Sequence, residues 1–395
     1  MPRRLRVAFV AGTLECGGAE KQLCYMVRAL RDRGVAVRVY SFAAGSHFAR
    51  ELAALGTSPV FVGRHGSPVL RIPALAAAAR RFAPHVVQSS HFYTNLYAAA
   101  CGRLLGAPSL GAVRNDLLHE FAANGRWSRW LLRAPSAVIC NSWRAGGYAT
   151  QLGMDVRRVH VIPNVIDLAA FERAAGPVVR RPPGGAVTVV SVARCVAAKR
   201  LDRFLRVLHG ARANGAAVRG VLVGEGPERP ALEALAGRLG LGPDAVRFLG
   251  ERHDVPRLLR EMDVLLLTSD HEGFPNVLLE AMAAGIPVIT TPAGDAARLV
   301  DDGVTGYVVP PGAIDRMVER VSRLAGRPDE RHRLGTAGRE QVERRYGLGS
   351  LAESLLRCYR AIGARGVAAA LAEPADLVAA VAAADAAEAG ASRRA

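Results

Sequence analysis

Two carboxylates eight positions apart, Glu272 and Glu280, stand in the stretch DHEGFPNVLLEAMAAGIPVITT (270–291). Glu280 has Val277, Leu278, Leu279, Ala281, Met282, Ala283 and Ala284 around it, which reads as a helix buried on most faces. A carboxylate there needs a partner. Backbone N–H groups in the first helical turns could supply one, and so could a ligand rich in donors. Earlier, VARCVAAKRLD places Arg194 and Lys199 in and just after a strand-to-helix loop. Only two of the 52 basic residues are lysines, so Lys199 is a selective choice. Lysine is a compact charge suited to phosphate, and arginine a fork that grips two oxygens. Such a cationic pair at a strand's carboxyl end suggests a pyrophosphate, although two solvated surface cations would leave the same local pattern.

The elements that must carry these groups follow from the apolar runs. VLLLTS (264–269) reads as a buried parallel strand, and Gly273, Pro275 and Asn276 punctuate a loop. Pro275 suits a helix's first turn, Gly285 ends that helix, and Pro287 opens the strand PVITT. The loop therefore lies at the carboxyl end of a strand, where open α/β sheets bind ligands. The chain's start has the same form: strand LRVAFVAG, glycine-bearing loop TLECGG, helix AEKQLCYMVRALRDR, a capping Gly34, strand VAVRVYSF. Glycines at that turn can hold a phosphate, but the spacing is not that of a dinucleotide fingerprint. Strands follow at 85–90, 108–114 and 136–142, and a Pro/Gly/Arg cluster at 176–185 reads as a linker. The pattern restarts with strands at 187–194, 220–227, 245–250, 264–269 and 305–312. The expectation is two facing doubly wound α/β domains with ligands in the cleft between their carboxyl edges. The first spans 1–175, completed by a terminal helix at about 348–363, and the second 186–347; an Ala-rich tail, 364–395, reads as weakly structured.

Composition narrows the class. Six scattered cysteines without C-x-x-C spacing suit reduced thiols in a cytosol. The basic N-terminus has too short an apolar run for a signal peptide, and no window suits a transmembrane helix. Residues 1–180 hold 23 Lys+Arg against 9 Asp+Glu, a net of +14, while 181–395 hold 29 against 26, a net of +3. The basic half would attract an anionic partner, whether lipid, nucleic acid or substrate, unless the bias is simply that of an Arg-rich proteome. Aromatics are only 6% and no helix-turn-helix or RNA-binding signature appears, which argues against nucleic acid.

Taken together, GGAE (17–20), IPNVID (162–167), ARCVAAKRLD (193–202), GEGP (224–227), FLG (248–250) and EGFPNVLLEAMAAGIPVI (272–289) resemble the retaining glycosyltransferases of family 4, with the two-domain GT-B fold, over roughly residues 5–363. The resemblance implies a nucleoside-diphosphate sugar as co-substrate, no other cofactor, and transfer with retained anomeric configuration to a glycan or lipid-linked acceptor, with cell-surface polysaccharide assembly the common setting. Arg194 and Lys199 match the cations on the donor's diphosphate. Glu280 matches the carboxylate that accepts the ribose hydroxyls, and Glu272 the residue that meets the transferred sugar. Gly273 and the Phe274-Pro275-Asn276-Val277 turn would offer N–H groups to sugar or phosphate oxygens, Pro275 excepted. Gly17 and Gly18 match the loop that closes on the diphosphate, and Gly224 and Gly226 a loop near the nucleobase. No Asp-x-Asp motif is present, so a metal is not expected.

This chain departs from the family in places. Relatives often read His-x-His after the first domain's fourth strand; here Gln88-Ser89-Ser90-His91 stands, and either His91 or Ser90 takes the place. Where relatives have Lys-Gly the chain has Lys199-Arg200, and where they have Asn-Gly it has Asn164-Val165. Arg114 and Asn115 are acceptor-side residues by position. The acceptor site falls in the basic half, where an anionic acceptor at the inner membrane face would fit. The segment Arg126-Trp127 to Arg133 could lie at that surface, or pack on its own domain with arginines outward. Rival readings are a non-hydrolysing nucleotide-sugar epimerase and a relative that binds a nucleotide sugar without transfer.

Overall fold

The computed structural model describes residues 5–15, 17–44, 47–63, 67–114, 117–177 and 185–364. Asn115, most of the expected linker and the tail from residue 365 lie outside them. Two compact units emerge: one takes the chain to Val165 and again from Leu348, and the other spans Ile166–Gly347.

Unit 1 holds a parallel sheet of seven described strands: β1 (Arg6–Ala11), β2 (Ala36–Ser41), β3 (Val60–Phe61), β4 (Val86–Ser89), β5 (Ser109–Val113), β6 (Ala137–Cys140) and β7 (Val159–Val161), in the order β3-β2-β1-β4-β5-β6-β7. Unit 2 holds six: β8 (Val187–Val192), β9 (Val218–Val223), β10 (Val246–Phe248), β11 (Val264–Leu267), β12 (Val288–Thr290) and β13 (Gly306–Val308), in the order β10-β9-β8-β11-β12-β13. All registered pairs are parallel. Central strands such as β5 and β11 are buried at every residue, which is why their sequences are apolar runs without alternation. Helices Gly18–Asp32 and Leu351–Ala361 pack Leu23, Met26, Leu30, Leu355 and Tyr359 over one face of the first sheet. Unit 2 is filled likewise from Leu201–Ala213, Asn276–Ala283 and Ile314–Gly326.

Each order reverses beside its first strand: between β1 and β4 in unit 1, and between β8 and β11 in unit 2. At such a point adjacent loops diverge to opposite faces and leave a crevice at the carboxyl ends.

The structure moves three expectations. Residues 166–175, assigned to the first domain because composition changes only at 176, group with unit 2: helix Leu168–Ala175 packs Phe171 into its core, and Glu172 pairs with Arg260 and Arg339. Strands β3 and β7 escaped the pattern reading because each is an edge strand of two or three residues. Pro275 caps the helix Asn276–Ala283 rather than entering its first turn.

Candidate functional site

In unit 2 the loop after β8 and the loop after β11 meet at the reversal point. Lys199 ends a 3-10 turn, Ala197–Lys199, and its Nζ lies 2.6 Å from Glu272 Oε1. The Ser269 hydroxyl donates to the same oxygen at 2.7 Å. Glu272 is thus held by one oxygen, while Oε2 makes no hydrogen bond among the described residues. Arg194 is exposed, and its guanidinium has no ion pair among those residues. Glu280 shares with Asn276, Val277 and Ala284 the half-buried stripe of its helix, whereas Leu278, Leu279, Ala281, Met282 and Ala283 are sealed. The expected enclosure of Glu280 is therefore only partial. The N-cap residue Pro275 supplies no side-chain acceptor, and the Leu278 N–H donates instead to the Pro275 carbonyl at 3.1 Å.

Arg200, noted in the sequence only as a departure from the family, and residues unremarked there build this arrangement. Arg200 adopts φ +48, ψ 44, a left-handed conformation costly for any residue but glycine. Its guanidinium binds Asp202 (2.9 Å) and Asp270 (3.1 Å), and Arg203 holds the other Asp270 oxygen at 2.5 Å. Burial alone would raise the Asp270 carboxyl; Arg203 and Arg200 overcome it and leave it below its ordinary value. Asp270 N–H donates to the Ala198 carbonyl, and the Thr268 hydroxyl to that of Arg200, both at 2.9 Å. Arg200 is thus a strut between the two loops.

Glycines set the backbone approach. At φ +137 and +152, Gly224 and Gly226 lie against the Ala193 and Cys195 carbonyls, where a Cβ would come within 1.9 and 2.4 Å. Their visible effect is to fix the Arg194 loop, to which Glu225 adds a carbonyl for the Cys195 N–H. Gly294, at φ +58, would bring a Cβ within 2.4 Å of the Glu272 carbonyl and 2.2 Å of that of Gly273. It was missed in the sequence, although a glycine in the loop after the neighbouring strand β12 was the available signal.

In unit 1 the loops after β1 and β4 meet in the same way. His91 Nε2 lies 3.0 Å from Glu20 Oε1, and the Gly12 N–H donates to His91 Nδ1 at 3.3 Å. With Nδ1 accepting, the ring proton sits on Nε2 and points to the carboxylate. Thr13 also donates to Glu20, at 2.9 Å. Burial pushes the Glu20 carboxyl up, but the His91 contact, a backbone N–H and Thr13 bring it below its ordinary 4.5. Gly17 leaves the space that Glu20 fills: a Cβ there would lie 2.3 Å from Oε2. Gly18 opens the helix that carries Glu20. Glu20 itself lay inside the GGAE motif without an assigned role. Ser90 sits beside His91, its hydroxyl buried and without a partner.

Arg114 follows β5, donating from Nη2 to Met26 Sδ at 3.2 Å. Trp127 and Trp130 are 58% and 67% exposed, while Leu131 and Leu132 are buried. Among the described residues no helix is long and apolar enough to cross a membrane.

Comparison with known proteins agrees across both units. Residues 16–170 match the family described as Glycosyltransferase Family 4, and residues 177–341 that described as Glycosyl transferases group 1. The chain is 32% identical over 302 residues to a GDP-mannose-dependent alpha-mannosyltransferase of Mycobacterium tuberculosis, covering 70% of this chain and 72% of that one. It is 26% identical to the lipopolysaccharide core biosynthesis glycosyltransferase LpsE of Rhizobium meliloti, covering 86% and 95%. A match to the alpha-D-kanosaminyltransferase of Streptomyces kanamyceticus, 30% identical, spans 44% of this chain and less than half, 46%, of that enzyme. Anabaena HepE, solved with UDP-glucose, has the same fold: TM-score 0.77 over 90% of this chain and 100% of that one, at 22% identity.

Proposed function

The chain belongs to glycosyltransferase family 4, with the GT-B fold, and on that premise we propose that it moves a sugar from a nucleoside diphosphate to a glycan or lipid-linked acceptor with retention of configuration and without a metal. The observation that carries this reading is the pairing of Lys199 with Glu272 at the unit 2 reversal point, beside an exposed Arg194 that has no ion pair among the described residues. As the glycosidic bond breaks, charge builds on the leaving diphosphate; Arg194, Lys199 and the start of helix Asn276–Ala283 would stabilise it. The free Glu272 Oε2 would accept from hydroxyls of the transferred sugar, and the half-buried Glu280 from those of the ribose. Glu272 and Glu280 are not an acid/nucleophile pair, because one is assigned to ribose. A donor phosphate oxygen would take the acceptor proton.

Unit 1 would bind the acceptor. Both ring nitrogens of His91 are engaged, so we assign it with Glu20 to holding the glycine loop; direct contact with substrate requires Glu20 to release Nε2. The exposed Trp127 and Trp130, with Arg126, Arg129 and Arg133, would rest at an anionic lipid surface. Co-sedimentation with phosphatidylglycerol vesicles, lost in a Trp127→Ser/Trp130→Ser variant, is the expected sign. A cell-surface glycolipid product is supported by the name of one matching relative, the lipopolysaccharide core enzyme LpsE.

The test is turnover with a donor of known anomeric configuration in excess EDTA, with the product followed by NMR. An axial donor giving an axial product in EDTA is expected. An inverted product, or activity lost to EDTA and restored by a divalent cation, would overturn the reading.

A further inference from the structure

The carboxyl ends of β4, β5 and β6 carry three buried polar atoms without hydrogen-bond partners: Ser90 Oγ, Arg114 Nε and Asn141 Oδ1. Each residue is the first past its strand, and alternation continued by that one step puts all three on the face that carries Gln88, Leu110 and Ile139; the Ser90 and Asn141 N–H groups still donate across the ladder to the Val10 and Val113 carbonyls. Neighbouring strands are roughly 4.8 Å apart, so the three ends form one short row. Buried polar groups are rarely left unpaired, and a cluster of them calls for an explanation.

Arg114 is the centre of the row. No carboxylate meets it among the described residues. Its Nη2 donates to the Met26 thioether, and Gln88 Nε2 donates to that same sulfur at 3.5 Å. Two nitrogen donors therefore converge on a weak acceptor. Nη1 makes no hydrogen bond among the described residues and is not one of the sealed, partnerless atoms, and Arg114 as a residue is half-buried. Burial draws the Arg114 guanidinium down to about 10. The surrounding network is neutral: the Tyr359 hydroxyl donates to Gln88 Oε1 at 2.5 Å. Asn141 is oriented by its own Nδ2, which donates to the Arg114 carbonyl at 2.9 Å. Its Oδ1 consequently faces outward from that bond as an acceptor.

We propose that this row is a subsite for an oxyanion carried by a hydroxyl-bearing acceptor: Arg114 takes a phosphate or carboxylate, and Asn141 Oδ1 accepts from a neighbouring hydroxyl. The assignment rests on the reading of unit 1 as the acceptor unit, and narrows it to acidic sugars and sugar phosphates. A guanidinium answers a planar carboxylate or a phosphate edge with paired N–H groups, which a neutral acceptor would leave unused.

The test uses the full chain saturated with the nucleoside diphosphate it binds, so that the cations of unit 2 are occupied. Thermal shifts are measured with glucose, glucuronate, glucose 6-phosphate and inorganic phosphate on wild type, Arg114→Met, Arg114→Lys and Arg194→Ala. The subsite predicts that one or both acidic sugars stabilise wild type and Arg194→Ala, that glucose does not, and that Arg114→Met weakens binding at least tenfold with Arg114→Lys between. It also predicts that ligand-free Arg114→Met melts no lower than wild type, because an unpaired buried charge has been removed. A lower melting point for Arg114→Met would make Arg114 a structural residue and overturn the proposal. So would equal shifts with glucose and the acidic sugars, or a response to phosphate alone. Failure of nucleoside diphosphates to bind wild type would instead strike the transferase reading.

Discussion

The reversal points of the two sheets are furnished with the same device, a carboxylate held by a nitrogen base, but the two are finished differently. In unit 2 a lysine holds one oxygen of Glu272 and leaves the other free, with Arg194 exposed alongside. In unit 1 His91 and Thr13 hold one oxygen of Glu20, which is as buried as Glu272 at 10% exposure, and the second imidazole nitrogen is already taken by the Gly12 N–H. One device is open and cationic at its rim. The other spends both imidazole nitrogens within its own unit. On the proposed function the same topological position serves as a ligand socket in one unit and as a brace in the other, and what decides is whether a cation stays exposed beside the carboxylate.

The largest effect should follow from opening the socket. Arg194→Ala and Lys199→Ala are each expected to lower kcat by about 10² to 10³, the usual cost of removing one electrostatic stabiliser. Glu20→Gln should cost far less; a larger loss from Glu20→Gln than from Lys199→Ala would reverse the comparison. Next come the glycines that shape the socket. Gly294→Ala must place a Cβ against two backbone carbonyls at φ +58, and a loss of about 1–3 kcal/mol is expected from urea unfolding. An unchanged midpoint would show that the Glu272 loop is not fixed from β12.

The brace is sharpened by pH. The folded-state Glu20 carboxyl lies below its ordinary 4.5, so its contribution to stability is present above the ordinary value and lost as pH falls through the lowered one. The melting-temperature gap between wild type and Glu20→Gln should be full at neutral pH and close below about pH 4.5. A gap that persists in acid would place the effect elsewhere. Smallest is Arg200→Gly, which relieves the left-handed strain but removes contacts to Asp202 and Asp270. These should offset to within about 1 kcal/mol, with donor affinity unchanged, since the guanidinium is turned to those carboxylates. A large affinity loss would put Arg200 on the diphosphate.

Much of this was legible in the sequence, for identifiable reasons. Buried parallel strands are apolar runs, so the central strands could be read, while edges of two or three residues could not. The GT-B fold and the family followed from motifs that keep their order. Pairings were harder. Lys199 and Glu272 are 73 positions apart and Glu20 and His91 are 71, and no periodicity links such partners. The unit boundary was misjudged because helix Leu168–Ala175 precedes the change in composition but packs beyond it. Arg200 could be read only as a departure from the family's Lys-Gly, because neither its backbone angle nor its pairing with Asp270, 70 positions on, is a local feature.

The central claim is that the unit 2 socket holds a nucleoside diphosphate. It is tested most directly by thermal shift with a panel of nucleoside diphosphates and sugar nucleotides in EDTA, on wild type and Glu280→Ala. One base should stabilise wild type by roughly 2.7 kcal/mol at a hundred times its Kd, and the variant much less. Equal stabilisation of both proteins, or none of wild type, would contradict the account.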